Sequence, residues 1–285
     1  MSTTLLNSEI SLSKQIGDYW DSTTTSAGAE GGTTVIDTEL KAKSNNWIDA
    51  DSAEMFDMIT SGTYDEQERS ISSLDNSEGT LTVLAHGGQI ASGVTYRVHR
   101  LFSASEKRRA LIHGAKEGFP HIHKGIWDES TAIDDDYLYK EIDISSLGLA
   151  NNQPLQIWQS SDKSDDGIPW YPIRNYTIDK DGKLWLHEGI CGYDLRIVGI
   201  GYLDFLAASV ASTSWSATID IDSPQLNILV AQAAIYLCDQ MIMPNFTSGT
   251  NEKWIQARQY WEVQLKKRNA KFGMPVPPIL VNWGV

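Results

Sequence analysis

The clearest pattern in the sequence is a stripe of apolar residues in the last quarter of the chain. From Leu226 to Met241 they recur at i, i+3, i+4, i+7, i+8, i+11, i+12 and i+15, which is the spacing of one buried helix face. Ser223 and Pro224 stand just before it, where a capping hydroxyl and a proline in the first turn favour a helix start. We therefore predict a long buried helix that begins at residue 223.

A second helix is predicted at about residues 251–272, after a break at Pro244. Four of its residues fall on one side at helical spacing. They are Trp254, Ala257, Trp261 and Leu265. We expect the two helices to form a C-terminal helical hairpin over residues 223–272. The three prolines of the following segment exclude a helix there, so residues 273–285 are predicted to be an extended tail.

Two other regions, residues 33–100 and 137–222, are divided into short apolar runs. Each run has about 4–8 residues and is bounded by Gly, Asn, Asp or Ser, which is typical of strands and turns. Asp181–Gly182 is a hairpin signal between two of the runs. We expect each region to fold as a small antiparallel β module, either a barrel or a sandwich.

Helices and a linker are predicted around these modules. Residues 1–22 contain a loose helical stripe, and the small-residue run at 23–32 reads as a linker, so this helix is expected to dock away from the neighbouring module. Residues 101–136 are predicted to be a linking helix and loop, with Ser103 or Ser105 as the cap. The predicted fold class is α+β: two small antiparallel β modules (barrel- or sandwich-like) with an N-terminal helix, a linking helix and a C-terminal helical hairpin plus an extended tail.

Composition narrows the function classes. The 285 residues include 41% hydrophobic ones and carry a net charge of −14, which excludes a wholly disordered chain and argues against a nucleic-acid binder with a basic surface. Residues 252–271 hold six cations against two acids, a local +4, so the remainder carries −18. The cations oppose the helix dipole, or they face an acidic partner or passing DNA. No signal peptide or membrane span is predicted.

Candidate chemistry in the sequence is sparse. His121 and His123, at i and i+2, would point the same way on a strand and could begin a metal site, although two surface or inter-subunit histidines explain the pattern as well. Residues 177–188 partly fit a calcium-binding loop, but a hairpin turn explains them better. No nucleophile or nucleotide-binding motif is present. We therefore expect no enzymatic activity, no cofactor and no metal.

Several aromatic residues of the second β region could instead bind a ligand. Trp158, Trp170, Tyr171 and Trp185 would suit a sugar or a receptor if they were exposed. The competing interpretation places them in the core of a sandwich. Both readings remain open from the sequence.

One resemblance is carried by longer segments. TTTSAGAEGGTTVIDTEL, then ITSGTYDEQERSI, GTLTV and SGVTYRV, and finally ARQYWEVQLKKRNAKFGMPVPP resemble virion structural proteins of tailed bacteriophages, over about residues 23–126 and 223–278. These proteins are similar to neck components, adaptors or connectors that join portal to tail. The resemblance implies a cyclic homo-oligomer in the virion, assembled in the host cytoplasm, with portal and tail proteins as partners and a channel for DNA that is not bound sequence-specifically. It implies no membrane and no catalytic residues.

For such a ring, the terminal segments are the predicted contacts between subunits, because a ring needs two different surfaces that meet. An apolar tail can fold back on its own chain or add to a neighbouring sheet. The candidate interface residues are Leu5, Leu6, Trp254, Arg258, Trp261, Lys266, Lys267, Arg268, Pro277, Pro278, Ile279, Leu280 and Trp283.

Overall fold

The structure, a computed structural model, describes residues 2–48, 55–133, 141–164, 168–243 and 251–278. Within these ranges the chain is α+β, as predicted. The helices are α1 Leu5–Ile16, α2 Ala104–Glu117, α3 Ser223–Ile242 and α4 Glu252–Phe272. The strands are β1 Thr3–Thr4, β2 Trp20–Thr23, β3 Thr34–Ile36, β4 Met55–Ile59, β5 Glu68–Asp75, β6 Thr80–Val83, β7 Thr95–His99, β8 Lys124–Asp128, β9 Glu141–Asp143, β10 Gln156–Ser160, β11 Tyr171–Ile173, β12 Tyr176–Ile178, β13 Lys183–Leu186, β14 Asp194–Gly201, β15 Leu206–Ala207, β16 Val210–Ala211 and β17 Thr218–Ile219.

The chain divides into two compact units whose boundaries differ from the predicted ones. Unit 1 consists of Met1–Glu117 and Phe205–Ala270, and unit 2 of Gly118–Asp204 and Lys271–Val285. The first segment of unit 2 is thus inserted between the two segments of unit 1, and its second segment follows unit 1 in the sequence. The region predicted as the second module, 137–222, is split because its last strands, β15 to β17, form a small sheet with β1 at the other end of the chain.

A six-stranded antiparallel sheet forms the centre of unit 1, in the order β2-β7-β4-β5-β6-β3. A bridge between Ser26 and Ile36 joins the segment after β2 to β3 at the opposite edge, so the sheet closes into a barrel. The barrel core includes Val35, Ile59 and Leu81, all fully buried. The prediction for residues 33–100 was a barrel or a sandwich; the structure forms a barrel, and β2 is added to it.

The linker prediction for residues 23–32 is wrong. Thr24 and Gly28 donate backbone hydrogen bonds to the carbonyl groups of Val94 and Ile90, each at 2.9 Å. A side chain on Gly28 would lie 2.1 Å from the carbonyl oxygen of Thr34. The small residues are therefore needed for close backbone packing on the barrel, and not for flexibility.

Helices α1, α2 and α3 pack together in unit 1, so the expectation of a detached N-terminal helix is also wrong. The start of α2 is a capping box: Glu106 N–H donates to Ser103 Oγ at 3.1 Å, and Ser103 N–H donates to the Glu106 carboxylate at 2.8 Å. Helix α3 begins at Ser223, with Asp222 at the N-cap, one residue earlier than the predicted cap.

Helix α4 runs antiparallel to α3, as the predicted hairpin requires. Near the start of α3, Asn227 accepts a hydrogen bond from Arg268 at 2.7 Å. Near its end, Asp239 accepts one from Arg258 at 2.6 Å.

Unit 2 contains two antiparallel sheets, β11-β10-β14-β8 and β12-β13-β9. Their inward side chains share one core, which includes Ile144, Ile157, Leu184 and Ile197, all fully buried. The arrangement is a small sandwich. Asp179–Gly182 connects β12 to β13 as the predicted hairpin turn, with Gly182 at a φ of 77°.

Candidate functional site

Four of the predicted interface residues on α4 are engaged within unit 1. Trp254 packs edge-on against the ring of Phe102 at 5.6 Å, and Trp261 is buried. Arg258 pairs with Asp239 at 2.6 Å, and Arg268 donates to Asn227 and, at 2.9 Å, to Gln15. Their first role is to hold α4 on the rest of its own unit.

The opposite side of α4 exposes a mixed apolar and basic surface. Ile255, Tyr260 and Val263 are 41%, 57% and 48% exposed, and Lys266 and Lys267 are exposed beside them. We call these five residues the outer α4 face. The two lysines were predicted from the sequence, whereas the three apolar residues were not; they lie off the stripe that contains Trp254 and Trp261.

The other predicted interface residues lie elsewhere. Leu5 is fully buried inside unit 1, so it is not a surface residue, and Leu6 beside it is half-buried. In the tail, Pro277 is half-buried and Pro278 exposed; the Pro278 carbonyl accepts a hydrogen bond from Gln156 at 2.6 Å in unit 2. Ile279, Leu280 and Trp283 lie outside the described residues.

One end of the barrel carries a rim of exposed acids. Three loops pack closely there: a side chain on Gly32 would lie 2.3 Å from the Gly88 carbonyl oxygen, and one on Gly88 would lie 2.1 Å from the Tyr64 hydroxyl. Two of these loops carry Glu30, Asp65 and Glu66, all exposed; we call these three residues the acidic rim.

A groove of about 380 Å³ opens on the outside of the barrel next to this end. Its apolar part is formed by Phe56 and by Leu84, which is 65% exposed. Its polar part includes Glu68, whose carboxylate accepts hydrogen bonds from the first N–H groups of α2, and Arg69. The Arg69 guanidinium donates to the Ala85 and Glu68 carbonyls and to the Gln67 side chain.

A buried ionic network joins α1, β7 and α2. Lys107 Nζ contacts Asp18 Oδ2 at 2.9 Å and His99 Nδ1 at 2.5 Å. Arg97 pairs with Glu9 at 2.8 Å. Two carboxylates face two cations, so the network is neutral when His99 is neutral.

The pKa values in this network follow from burial. Burial lowers the pKa of His99 well below its ordinary value, and the positive charges of Lys107 and Arg97 act in the same direction. Burial also lowers the pKa of Lys107, against the opposing effect of Asp18 and Glu9. Because these side chains are enclosed, a substrate has no access to them, and the network acts as a structural connection.

A second buried pair lies inside the barrel. His86 Nε2 and Asp57 Oδ2 are 2.9 Å apart, and both side chains are fully enclosed. Burial raises the pKa of Asp57, although the hydrogen bond to His86 opposes this. Neither this pair nor the network was predicted, because the partners are far apart in the sequence and each looks like a surface charge.

In unit 2, tryptophans occupy the outer side of the larger sheet. The guanidinium of Arg196 lies 4.5 Å from the ring centre of Trp127 and 3.8 Å from that of Trp170, and Trp158 is the cross-strand neighbour of Arg196. Glu129 accepts hydrogen bonds from Trp127 at 2.7 Å and Arg196 at 2.6 Å. We call Trp127, Trp158, Trp170 and Arg196 the tryptophan face.

The core interpretation of the four predicted aromatic residues is therefore wrong. Trp158 and Trp170 are half-buried and Tyr171 is exposed. Trp185 lies on the other sheet, where its neighbour Leu184 points into the core instead. The alternating pattern had been compatible with either orientation of these strands.

The local geometry at His121 and His123 differs from the strand on which the metal hypothesis was based. His121 lies in a turn, and His123 precedes β8, so neither residue is on a strand. His121 is exposed, whereas His123 is buried with Nδ1 2.9 Å from the Pro120 carbonyl oxygen. In the part of the chain that the structure describes, no three His, Cys, Asp or Glu side chains are grouped to hold a metal ion.

Comparisons with known proteins add no identification. No family model matches the chain, and no curated protein and no solved structure matches it. None of the helices in the described ranges is long and apolar enough to cross a membrane.

Proposed function

We propose that this protein is a structural component of a tailed-phage virion: a ring-forming neck protein that joins portal to tail and leaves a channel for DNA. Its role is mechanical and not catalytic. The proposal rests on the resemblance of residues 23–126 and 223–278 to such proteins, and it places the chain in the virion.

The observation that carries the proposal is the outer α4 face. Helix α4 is fixed to unit 1 by Trp254, Arg258, Trp261 and Arg268 on one side, yet it exposes three large apolar residues on the other. Apolar surface of this kind, flanked by charged residues, is typical of contacts between proteins. A second copy, repeated around an axis, would cover it.

The test is a mass measurement on the purified chain, alone and mixed with portal and tail proteins. We expect a defined oligomer of many copies in at least one of the two conditions, and a ring by electron microscopy. A strictly monomeric chain in both conditions would overturn the proposal.

A second candidate function is carbohydrate or receptor binding by unit 2 of a virion protein. The tryptophan face favours it, because Trp127 is 63% exposed and is held by Arg196 and Glu129, and flat exposed indole rings stack on sugars or on partner side chains. Glycan-array binding that Trp127→Ala abolishes and Trp185→Ala preserves would support it. An array without binding would remove it.

A further inference from the structure

We infer that the outer α4 face of one copy docks into the groove beside the acidic rim of a second copy. The inference rests on the proposed ring, and it names the two surfaces that meet. Both surfaces belong to unit 1, and they consist of different residues, so the contact is heterologous and repeats from copy to copy.

Apolar matching is the first argument. The α4 side contributes Ile255, Tyr260 and Val263, which are exposed in the single chain. The groove contributes Phe56 and Leu84. Its volume of about 380 Å³ lies in the range of sites that enclose several side-chain groups.

Charge is the second argument. On α4, Lys266 and Lys267 lie C-terminal to the apolar residues of the outer α4 face. On the barrel, the acidic rim lies next to the groove. Together the rim and the groove carry four acids, Glu30, Asp65, Glu66 and Glu68, against the single Arg69. The net charge of −3 is opposite to that of the two lysines, which favours this orientation of the helix and disfavours the reverse.

Spacing is the third argument. Val263 and Lys267 are one helical turn apart, or about 6 Å along the axis. Glu68 in the groove and Glu66 in the rim are two residues apart, so their Cα atoms are separated by at most about 7 Å. A helix that places Val263 in the groove therefore brings Lys267 within reach of Glu66.

The decisive experiment mixes two variants that each lose one surface. Ile255→Glu/Val263→Glu damages the outer α4 face, and Leu84→Glu damages the groove. All three replaced side chains are exposed, so both variants are expected to fold, which circular dichroism and melting curves check. The masses are measured in whichever condition gives the wild-type ring.

We expect neither variant to form a ring alone. Their mixture retains one intact pair of surfaces, and so it should form a species of two chains, twice 31.7 kDa, and nothing larger. If either variant alone formed rings of the wild-type size, the inference would be overturned, while the proposed function would still stand. A mixture that stays monomeric would also overturn it. A wild-type chain that is monomeric alone and with its partners would overturn the proposed function itself.

A charge exchange tests the orientation. Lys266→Glu/Lys267→Glu and Glu30→Lys/Glu66→Lys should each weaken assembly at least about tenfold, because each places like charges together. A chain that carries all four substitutions should recover most of the loss. Lys41→Glu and Glu78→Lys, exposed residues outside both surfaces, serve as matched controls and should assemble normally. Loss without recovery in the combined variant would contradict the proposed pairing.

Discussion

The buried network of Glu9, Asp18, Arg97, His99 and Lys107 shows how individual residues connect separate elements. Lys107 donates to His99 Nδ1, to Asp18 Oδ2 and to the Asp18 carbonyl at 3.2 Å. All three ammonium protons therefore have acceptors, which a fully buried lysine requires. The network is not predictable from the sequence, because charged residues are normally exposed and most of these contacts join residues far apart in the chain.

Replacing Lys107 by methionine should destabilise unit 1 by about 3–5 kcal/mol. The change leaves Asp18 buried without its cation, and an unpaired buried charge costs more than the pair contributes. Urea unfolding followed by tryptophan fluorescence measures this free energy. Lys41→Met, on an exposed site, should stay within about 0.5 kcal/mol of wild type. Equal effects of the two substitutions would rule out the network as a structural connection.

The burial of His99 predicts that the free energy of unfolding depends on pH. Its folded-state pKa is well below the ordinary 6.5 because of burial, with Lys107 and Arg97 adding to the effect. The neutral form is therefore favoured in the folded state, while the unfolded chain takes up a proton below about pH 6.5. The stability that neutral His99 contributes to the folded state is fully present above that pH. It is lost as the pH falls, at up to about 1.4 kcal/mol per pH unit.

Unfolding midpoints measured from pH 7.5 to pH 5 check this prediction. The charged groups that act on His99 are Lys107 Nζ at 2.5 Å, Glu9 Oε1 at 3.9 Å and Arg97 on the same strand, and all three are present in both proteins. The comparison with His99→Gln therefore isolates the imidazole, since the variant keeps the other groups. A variant whose stability falls as steeply as that of wild type would contradict the assignment.

At the scale of elements, periodicity predicted the helices well and their surroundings poorly. Helix α3 begins at Ser223 and α2 spans Ala104–Glu117, close to the predicted positions, because their apolar stripes and capping residues are local signals. The linker at 23–32 and the detached α1 were wrong, because the contacts that hold them are backbone hydrogen bonds and buried polar groups from distant residues. Of the outer α4 face, the two lysines were predicted and the three apolar residues were not, because a sequence shows which residues are charged but not which apolar residues are exposed.

Glycine positions in the sheets of unit 2 give a matched pair of substitutions. A Cβ on Gly201 would lie 2.4 Å from the Gly148 carbonyl oxygen, whereas one on Gly125, on the adjacent strand, meets nothing within 4 Å. Gly201→Ala should cost about 1–3 kcal/mol, since backbone must move to admit it. Thermal melting should show Gly125→Ala close to wild type. Similar melting temperatures for the two variants would contradict this packing of β14.

For the whole molecule, the net charge of −14 is best understood as a division between surfaces. The acidic rim and the outer α4 face carry opposite charges within unit 1, so the proposed contact would attract copies to one another although they repel on average. The net negative charge disfavours tight binding of DNA on average, and four lysines of α4 are exposed: Lys253, Lys266, Lys267 and Lys271.

Salt should therefore weaken the assembly. The screening length falls from about 10 Å at 0.1 M to about 3 Å at 1 M ionic strength, so the attraction between Lys266 or Lys267 and the rim is lost while the apolar contact remains. We expect the dissociation constant of the two-variant pair to rise several-fold over this range, measured by analytical ultracentrifugation. Adding Lys266→Glu/Lys267→Glu to the variant that supplies the outer α4 face should reverse the trend, because salt then screens a repulsion. If the dissociation constant did not change with salt in either case, the proposed charge pairing would be contradicted and only the apolar part of the contact would remain.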